Sequence, residues 1–467
     1  MKRRNFIKSS IATSALTGSV LSLAQAGDFS GIKKGDHLKE AARDIPVIDE
    51  YDVIVAGAGP AGIAAAIESG RNGAKTLLIE VHGCLGGVWT TGLLSWVLDQ
   101  QNKDGLMREI TGRLVSMDAK CPIDTGGNFA FDVEKMKVLL EELNLDAGVD
   151  ILFHTRVVEA IKDANQRLTH LVTESKSGRE AWAGKIFIDT SGDGDLAARA
   201  GCGFDYGDAN GNGQPMSLLA LVSGIQFEEI KPFVRYAGDQ GQQSKKRLVE
   251  KIVSGGVIPS YLKPGLYPIS ENLYMMMANH EYEYKGTNTR DLTRATLNAR
   301  KELHQIINAL KMHGDEWKDI RLVATAEQIG VREGRRIHGL YTVSKEDLIQ
   351  GARFEDAVCR VTFGVDVHST TRKNEEVNTT KEGRSYSQGV KSKDYDIPLR
   401  SLIAKDVGGL LMAGRCISGD FIAHSSYRVT GNAVAMGEAA GRVSAIASKK
   451  NKLPQEVTLQ EAGLAMK

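Results

Sequence analysis

Paired cysteines are missing from this sequence. Its five cysteines stand at 84, 121, 202, 359 and 416, with no CxxC pair among them. A zinc ribbon, a thioredoxin-type dithiol and a disulfide framework are therefore not indicated, and the odd count leaves at least one thiol without an intrachain partner. CxxCH, the haem-attachment motif, is absent too. So is any surplus of charge: 59 basic residues face 58 acidic ones, a net of +1. That balance gives no reason to expect a nucleic-acid partner or a membrane-surface binder. No internal repeat or low-complexity tract is evident. What remains is ordinary for a soluble globular protein, 42% hydrophobic and 25% charged. The length of 467 residues suggests two or three lobes. Glycine is the one excess, 50 residues or about 11% against a usual ~7%.

Residues 1–26 carry Arg3-Arg4, then Asn5-Phe6-Ile7-Lys8, a mildly apolar stretch over 11–23, and Ala24-Gln25-Ala26. The stretch is too short and too rich in Ser and Thr to span a bilayer. Its end is a small-x-small cleavage site. The segment resembles a twin-arginine export signal, with Lys2 where that signal has Ser or Thr. The resemblance implies the twin-arginine export machinery as a partner and a periplasmic or otherwise exported location. That pathway carries folded proteins, so it also implies a tightly held cofactor. A polar linker is expected over 27–50.

Residues 52–56 form a short apolar run, followed at once by Gly57-Ala58-Gly59-Pro60-Ala61-Gly62, an Ala-rich stretch over 63–67, and a second run over 75–80 ending in Glu80. Strand, GxGxxG, helix, strand, acid is the context that turns a weak motif into a dinucleotide site. Gly57 makes the tight turn, Gly59 lets the backbone approach a pyrophosphate, and Gly62 lets helix and strand pack closely. The helix N-terminus offers free N–H groups to the phosphates. Glu80 can accept hydrogen bonds from ribose hydroxyls. Cofactor contacts are expected from all six residues 57–62, from Glu80 and Val81, and from Gly86, Gly87 and Thr91 in the glycine-rich loop that follows.

Further along, helical spacing predicts a helix over 132–147, stopped at Gly148. Strand-like runs follow over 151–161, 168–174 and 181–189. The last leads into Gly192-Asp193-Gly194, read as a returning cofactor-domain strand rather than a second GxGxxA site, because no strand ending in an acid follows. Residues 214–221 look like a strand and 291–312 like a long amphipathic helix. A strand over 406–413, a loop through Gly414, Arg415, Gly431, Asn432 and Ala433, and a small-residue helix over 434–447 close the chain.

These segments resemble the glutathione-reductase-like flavoproteins, and most closely the exported FAD-dependent oxidoreductases. The matching residues are GAGPAG (57–62), Glu80, GCLGG (83–87), IDTSGDGDLAARAG (188–201), GVREGRRIHGLY (330–341), YDIPLRSLI (395–403) and LLMAGRCIS (410–418). The resemblance implies an α/β fold: an FAD-binding Rossmann-like domain with a β-meander, interrupted by a mixed α+β substrate domain. The expected boundaries are 51–202 and 395–450 for the FAD domain, 203–394 for the substrate domain, and 451–467 for a tail. It further implies FAD as cofactor, an adenine contact from the backbone of Val157, and flavin contacts from Gly192, Asp193, Gly414, Arg415, Gly431, Asn432 and Ala433.

The segment His424-x-x-x-Arg428-Val429-x-Gly431-Asn432 is more distantly similar to the succinate dehydrogenase and fumarate reductase flavoproteins. There the His and Arg hold a substrate carboxylate. Ser425-Ser426-Tyr427 departs from that family's small residues. His424 and Arg428 are thus the candidate catalytic residues, with Tyr427, Arg332 and His368 as candidate substrate contacts. The expected reaction is oxidation of a small polar alcohol or sugar-like substrate, with hydride passing to FAD and electrons leaving to an external acceptor. The alternatives are reduction of an unsaturated carboxylic acid fed by an external donor, and a flavin-bearing accessory protein without turnover.

Overall fold

The computed structural model describes residues 37, 40–373 and 387–464. The export segment and half of the 27–50 linker lie outside the described residues. Residues 45–467 form one compact unit. In chain order its main elements are β1 (Val47–Ala56), α1 (Pro60–Arg71), β2 (Thr76–Ile79), α2 (Val133–Asp146), β3 (Val149–Leu152), β4 (Arg156–Lys162), β5 (Leu168–Ser175) and β6 (Gly178–Asp189). Then come β7 (Ala220–Ser223), β8 (Gly265–Pro268), β9 (Leu273–Met277), α3 (Thr289–Lys311), β10 (Arg321–Thr325), β11 (Leu410–Met412), α4 (Phe421–Tyr427) and α5 (Thr430–Lys450).

The main sheet runs β3-β2-β1-β6-β5-β4, with β11 added in parallel beside the end of β6. Its centre is parallel and buried on both faces, which is why Val53–Ala56 and Ile186–Ile188 read as unbroken apolar runs. The β4-β5-β6 portion is an antiparallel meander. A second, four-stranded antiparallel sheet, β8-β9-β7-β10, lies within 203–394. The fold is therefore α/β with the expected meander, and β11 shows how the chain after residue 395 rejoins the first sheet.

Helix α1 is buried along nearly its whole length. One side meets the sheet and the other meets α5. A Cβ at position 437 would stand 2.1 Å from Ala61 O, and one at 441 would stand 2.3 Å from Ala65 O. The two glycines, one turn apart on α5, let the helix backbones touch. Helix α2 starts where Asp132 accepts hydrogen bonds from the N–H groups of Glu134 and Lys135. It ends before Gly148, whose φ is +71°.

Four expected elements come out differently. The run over 151–161 is two strands, because His154 at φ +53° turns the chain from the parallel edge beside β2 into the meander. The strand over 214–221 shrinks to β7: the Asn279 side chain accepts from Leu218 N at 2.9 Å and donates to Leu218 O at 2.7 Å, taking the place of a neighbouring strand. The strand over 406–413 is only three residues, since Gly409 turns at φ +76°. Residues 421–427, expected as loop, form α4, and α5 starts at Thr430 after extended Val429.

Gly441→Val tests the α1–α5 contact. Forcing a branched side chain against Ala65 O should cost about 1–3 kcal/mol, read as a lower thermal midpoint. An unchanged midpoint would mean that the helices have slack.

Candidate active site

The first part of the site is a cradle at the ends of β1, β6 and β11. Gly57 sits at φ +101°, and a Cβ there would meet Thr190 O at 2.7 Å. A Cβ at Gly62 would stand 1.8 Å from Gly57 O, the close helix–strand approach expected of the third glycine. Gly59 is different: nothing lies within 4 Å of where its Cβ would be. That open space adjoins the N-terminus of α1, which has no side-chain cap, no acid in its first turn, and proline at its start. The first N–H groups of such a helix, with its dipole, form an anion seat.

Glu80 is buried and accepts hydrogen bonds from Ala58 N at 2.7 Å and His82 N at 3.0 Å. Val81, next along, is 37% exposed. Gly86 N donates to Ala58 O, and a Cβ at Gly87 would come 2.9 Å from Gly59 Cα. Thr91 Oγ1 donates to Gly87 O at 2.9 Å. Val157 is half-buried on β4, whose entry is tied to the first loop by Thr155 N donating to Glu80 O.

The C-terminal residues close the same cradle. A Cβ on Gly414 would lie 3.1 Å from Ala61 Cβ and 3.8 Å from Ala433 Cβ, so loop, α1 and α5 meet there. Arg415 pairs with Asp193 at 2.7 Å and lies over Gly192. Gly431 is pinned by its N–H to Leu98 O, with Asp99 O 2.3 Å from a would-be Cβ. Helix α5 starts without a side-chain cap or an acid in its first turn. Thr430 Oγ1, Asn432 Nδ2 and Arg415 Nε are buried with no hydrogen-bond partner. Two uncapped helix starts, an open approach at Gly59 and stranded polar atoms at the third wall fit a dinucleotide cofactor.

Beside the cradle lies a buried polar cluster. Gln214 is its hub: its Nε2 donates to Glu333 Oε2 at 2.9 Å and contacts Ser425 Oγ at 3.1 Å. Its Oε1 accepts from His368 N at 2.9 Å and Arg428 Nη2 at 3.3 Å. His424 is completely enclosed, with neither ring nitrogen hydrogen-bonded and its Nδ1 3.7 Å from Glu333 Oε2. Burial first, then Arg428, Arg336 and Arg415, hold its pKa well below 6.5, so it is neutral. Arg428 Nη2 donates to Asp366 O at 2.7 Å, while its Nε is buried without a partner. Burial, with Arg332 nearby, brings the Arg428 pKa down to about 10 despite Asp366.

Asp366 lies 3.4 Å from His368 Nε2. Burial alone would raise its pKa, but His368, Arg428 and Arg332 outweigh that and hold it below the ordinary range. Burial and Arg332 push His368 down to about 4, with Asp366 opposing. His280 stacks on Tyr261 at 3.9 Å and meets His368 edge-on at 4.9 Å. Arg332 Nη1 donates to Pro215 O at 2.8 Å and Ser217 Oγ at 2.9 Å. Glu333 pairs with Arg336, and Arg335 pairs with Asp195.

So His424, Arg428, Arg332 and His368 come together. Tyr427 does not line an open wall: it is fully buried, its hydroxyl donates to Ile417 O at 3.1 Å, and its ring supports His424 edge-on at 5.6 Å. Trp89 packs in the core against Phe131. Gln214, Glu333, Asp366, His280 and Tyr261 were not singled out by sequence reasoning. Only Glu333, an acid among three arginines, carried a local signal.

Gly59→Asp separates cradle from fold. The position has ordinary φ and free space, so the variant should fold with an unchanged circular dichroism spectrum. The new carboxylate should repel the pyrophosphate, and flavin absorbance per chain should be lost. Full flavin retention would put the cofactor elsewhere.

A family model described as FAD dependent oxidoreductase matches residues 52–463. Among curated proteins the chain is similar to digeranylgeranylglycerophospholipid reductase 3 of Methanosphaera stadtmanae, 27% identical over 200 residues, 39% of this chain and 47% of that one. It is also similar to a thiamine thiazole synthase of Methanococcus maripaludis, 28% identical over 155 residues, 31% of this chain and 57% of that one. The chain thus spans about half the length of the curated relatives it matches. Among solved structures, a geranylgeranyl bacteriochlorophyll reductase-like protein from Thermoplasma acidophilum aligns at 14% identity and TM-score 0.45, covering 89% of this chain and 82% of that one. A flavin-dependent brominase aligns at 12% identity and TM-score 0.47, covering 86% and 80%. With the family match running through every element of the cradle, the chain belongs to the FAD-dependent oxidoreductases, and FAD is its cofactor.

Proposed function

We propose that this chain oxidises a small polar substrate at a CH–OH carbon. The observation that carries this reading is His424, neutral, fully enclosed and unengaged at both ring nitrogens, on the short helix that immediately precedes the start of α5. When bound, FAD supplies the two-electron acceptor that takes the hydride as C–OH becomes C=O. His424 takes the hydroxyl proton. Glu333, 3.7 Å from Nδ1, is placed to steady the imidazolium that results. The uncapped start of α5, with Asn432 Nδ2 buried and unpartnered in its first turn, would stabilise negative charge on a flavin held there. The enclosure of the cluster keeps water away from the proton transfer. The export segment supports a cell-envelope location, and electrons would then leave to an external acceptor.

A second reading runs the reaction backwards, reducing an unsaturated carboxylic acid with Arg428 as proton donor. It is favoured by the lowered Arg428 pKa, about 10, which eases proton release. Anaerobic titration of the flavin band separates the two. Bleaching by an alcohol supports oxidation. Failure of every alcohol, with reoxidation of chemically reduced enzyme by an unsaturated acid, supports reduction.

His424→Gln should keep its FAD and slow bleaching by about 100- to 10,000-fold. The wild-type rate should not fall on His424's account as the pH drops through 6.5, because a base with a depressed pKa stays unprotonated there. An unchanged rate in the variant would remove His424 from the chemistry and favour a protein without turnover at this site.

A further inference from the structure

A carboxylate beside a histidine ordinarily favours the imidazolium. Glu333 and His424 break that pattern. Glu333 Oε2 stands 3.7 Å from His424 Nδ1, yet among the described residues neither ring nitrogen of His424 has a hydrogen-bond partner. Both side chains are buried, so screening by solvent does not account for it.

The oxygens of Glu333 are already engaged. Oε1 pairs with Arg336, and Oε2 accepts from Gln214 Nε2 at 2.9 Å. Burial raises the Glu333 pKa, and Arg336 and the Gln214 amide oppose that rise. Arg336 also donates to Gly419 O and Gly207 O, each at 3.0 Å, so it is a fixed anchor for the carboxylate.

Gln214 is fixed as firmly. The His368 N–H and the Arg428 guanidinium can only donate, so the amide oxygen must face them, at 2.9 and 3.3 Å. The NH₂ end is then left for Glu333 and for Ser425 Oγ, 3.1 Å away, whose own hydrogen goes to Phe421 O. Turning the amide over would set donors against donors. The charged groups that act on His424 come from three places: Arg428 on its own helix, Arg336 and Glu333 on the 330–341 segment, and Arg415 after β11. Tyr427 adds a ring edge-on at 5.6 Å. Glu333 is the anion in this set, and Gln214 holds it.

We infer that Gln214 is a positioning residue for His424: by fastening Glu333 Oε2, it keeps that carboxylate from engaging Nδ1 before a substrate proton arrives. The inference rests on the reading of His424 as the base. Once His424 is protonated, Oε2 still has a lone pair to offer, and a small movement closes 3.7 Å to hydrogen-bond distance. The base is free at rest and supported afterwards.

The test follows the His424 ring by NMR in the FAD-loaded protein, labelled at the histidine ring carbons and assigned by the signal lost in His424→Gln. In the wild type this signal should stay unmoved between about pH 5 and 8. In Gln214→Met, similar in length but without a donor, it should titrate inside that window, because Glu333 then turns to Nδ1. Gln214→Asn, too short to reach both sides, should do the same. In the double variant Gln214→Met/Glu333→Gln the signal should fall silent again, which a merely structural loss of the amide would not produce. A silent signal in either folded single variant overturns the inference, and so does equal titration in the double variant. Loss of FAD from both single variants overturns it too, since the amide would then be a strut for the fold. Anaerobic bleaching by an alcohol is read on the same samples. Below its new midpoint the Gln214→Met rate should fall about tenfold per pH unit, while the wild-type rate should not. If no alcohol bleaches any sample while the ring titrates as expected, the role of Gln214 stands and the oxidation reading falls.

Discussion

Backbone contact between α1 and α5 is the constraint on which the rest depends. Gly437 and Gly441 bring the α5 backbone against the Ala61 and Ala65 carbonyls. The helices then lie close enough for Gly414 to sit between Ala61, at the start of α1, and Ala433, at the start of α5. The cradle is built from a motif near residue 60 and another near residue 430. No linker could fix that geometry. A small-residue seam between two buried helices can, because close packing leaves few alternative registers. The many alanines of α1 serve the same end, being strong helix formers with little side chain to separate the axes.

The second consequence falls on α4. Its seven residues are capped by Asp420 and end at Arg428, whose N–H donates to His424 O. Extended Val429 then breaks the path before α5 starts. A continuous helix would have given α5 an ordinary first turn, with its N–H groups satisfied. The break gives α5 its own first turn beside the cradle, where the Gly431 N–H is taken by Leu98 O. It also sets His424 and Arg428 on a separate short element, facing the polar cluster. The wall of the cradle and the polar cluster are thus divided between two helices joined by two residues.

The cradle was legible in the sequence because its physics is local. A turn needing φ above zero, a close backbone approach and an acid at the end of the next strand all fall within residues 57–80. The meander and α2 were legible for the same reason. Strand and helix limits failed where a distant side chain intervened, as Asn279 does at Leu218. The polar cluster was only half legible. His424, Arg428, Arg332 and His368 stood out as chemistry-bearing residues, but Gln214 and His280 did not. Gln214 binds Glu333, Ser425, His368 and Arg428, four partners from three distant segments. Nothing in a glutamine's local pattern announces such a role. Tyr427 shows the opposite error: an aromatic beside two candidate catalytic residues is part of the packing that holds them.

Burying so much polarity is unfavourable unless the groups satisfy one another. Most of this cluster does. The Gln214 amide satisfies both acid and base neighbours, Arg336 reaches Glu333, Gly419 O and Gly207 O, and Ser425 closes back on Phe421 O. The atoms left without partners are therefore informative. Among the described residues they include the two nitrogens of His424, Nε of Arg428 and Nε2 of His280, together with Thr430 Oγ1, Asn432 Nδ2 and Arg415 Nε at the cradle wall. A network that satisfies itself nearly everywhere and fails at neighbouring points is built around something that completes it. The unsatisfied atoms of α5 belong to the wall that closes the cradle, and those of α4 and its neighbours lie in the polar cluster beside it. The seam between α1 and α5 fixes the first group, and the two-residue break after Tyr427 fixes the second beside it.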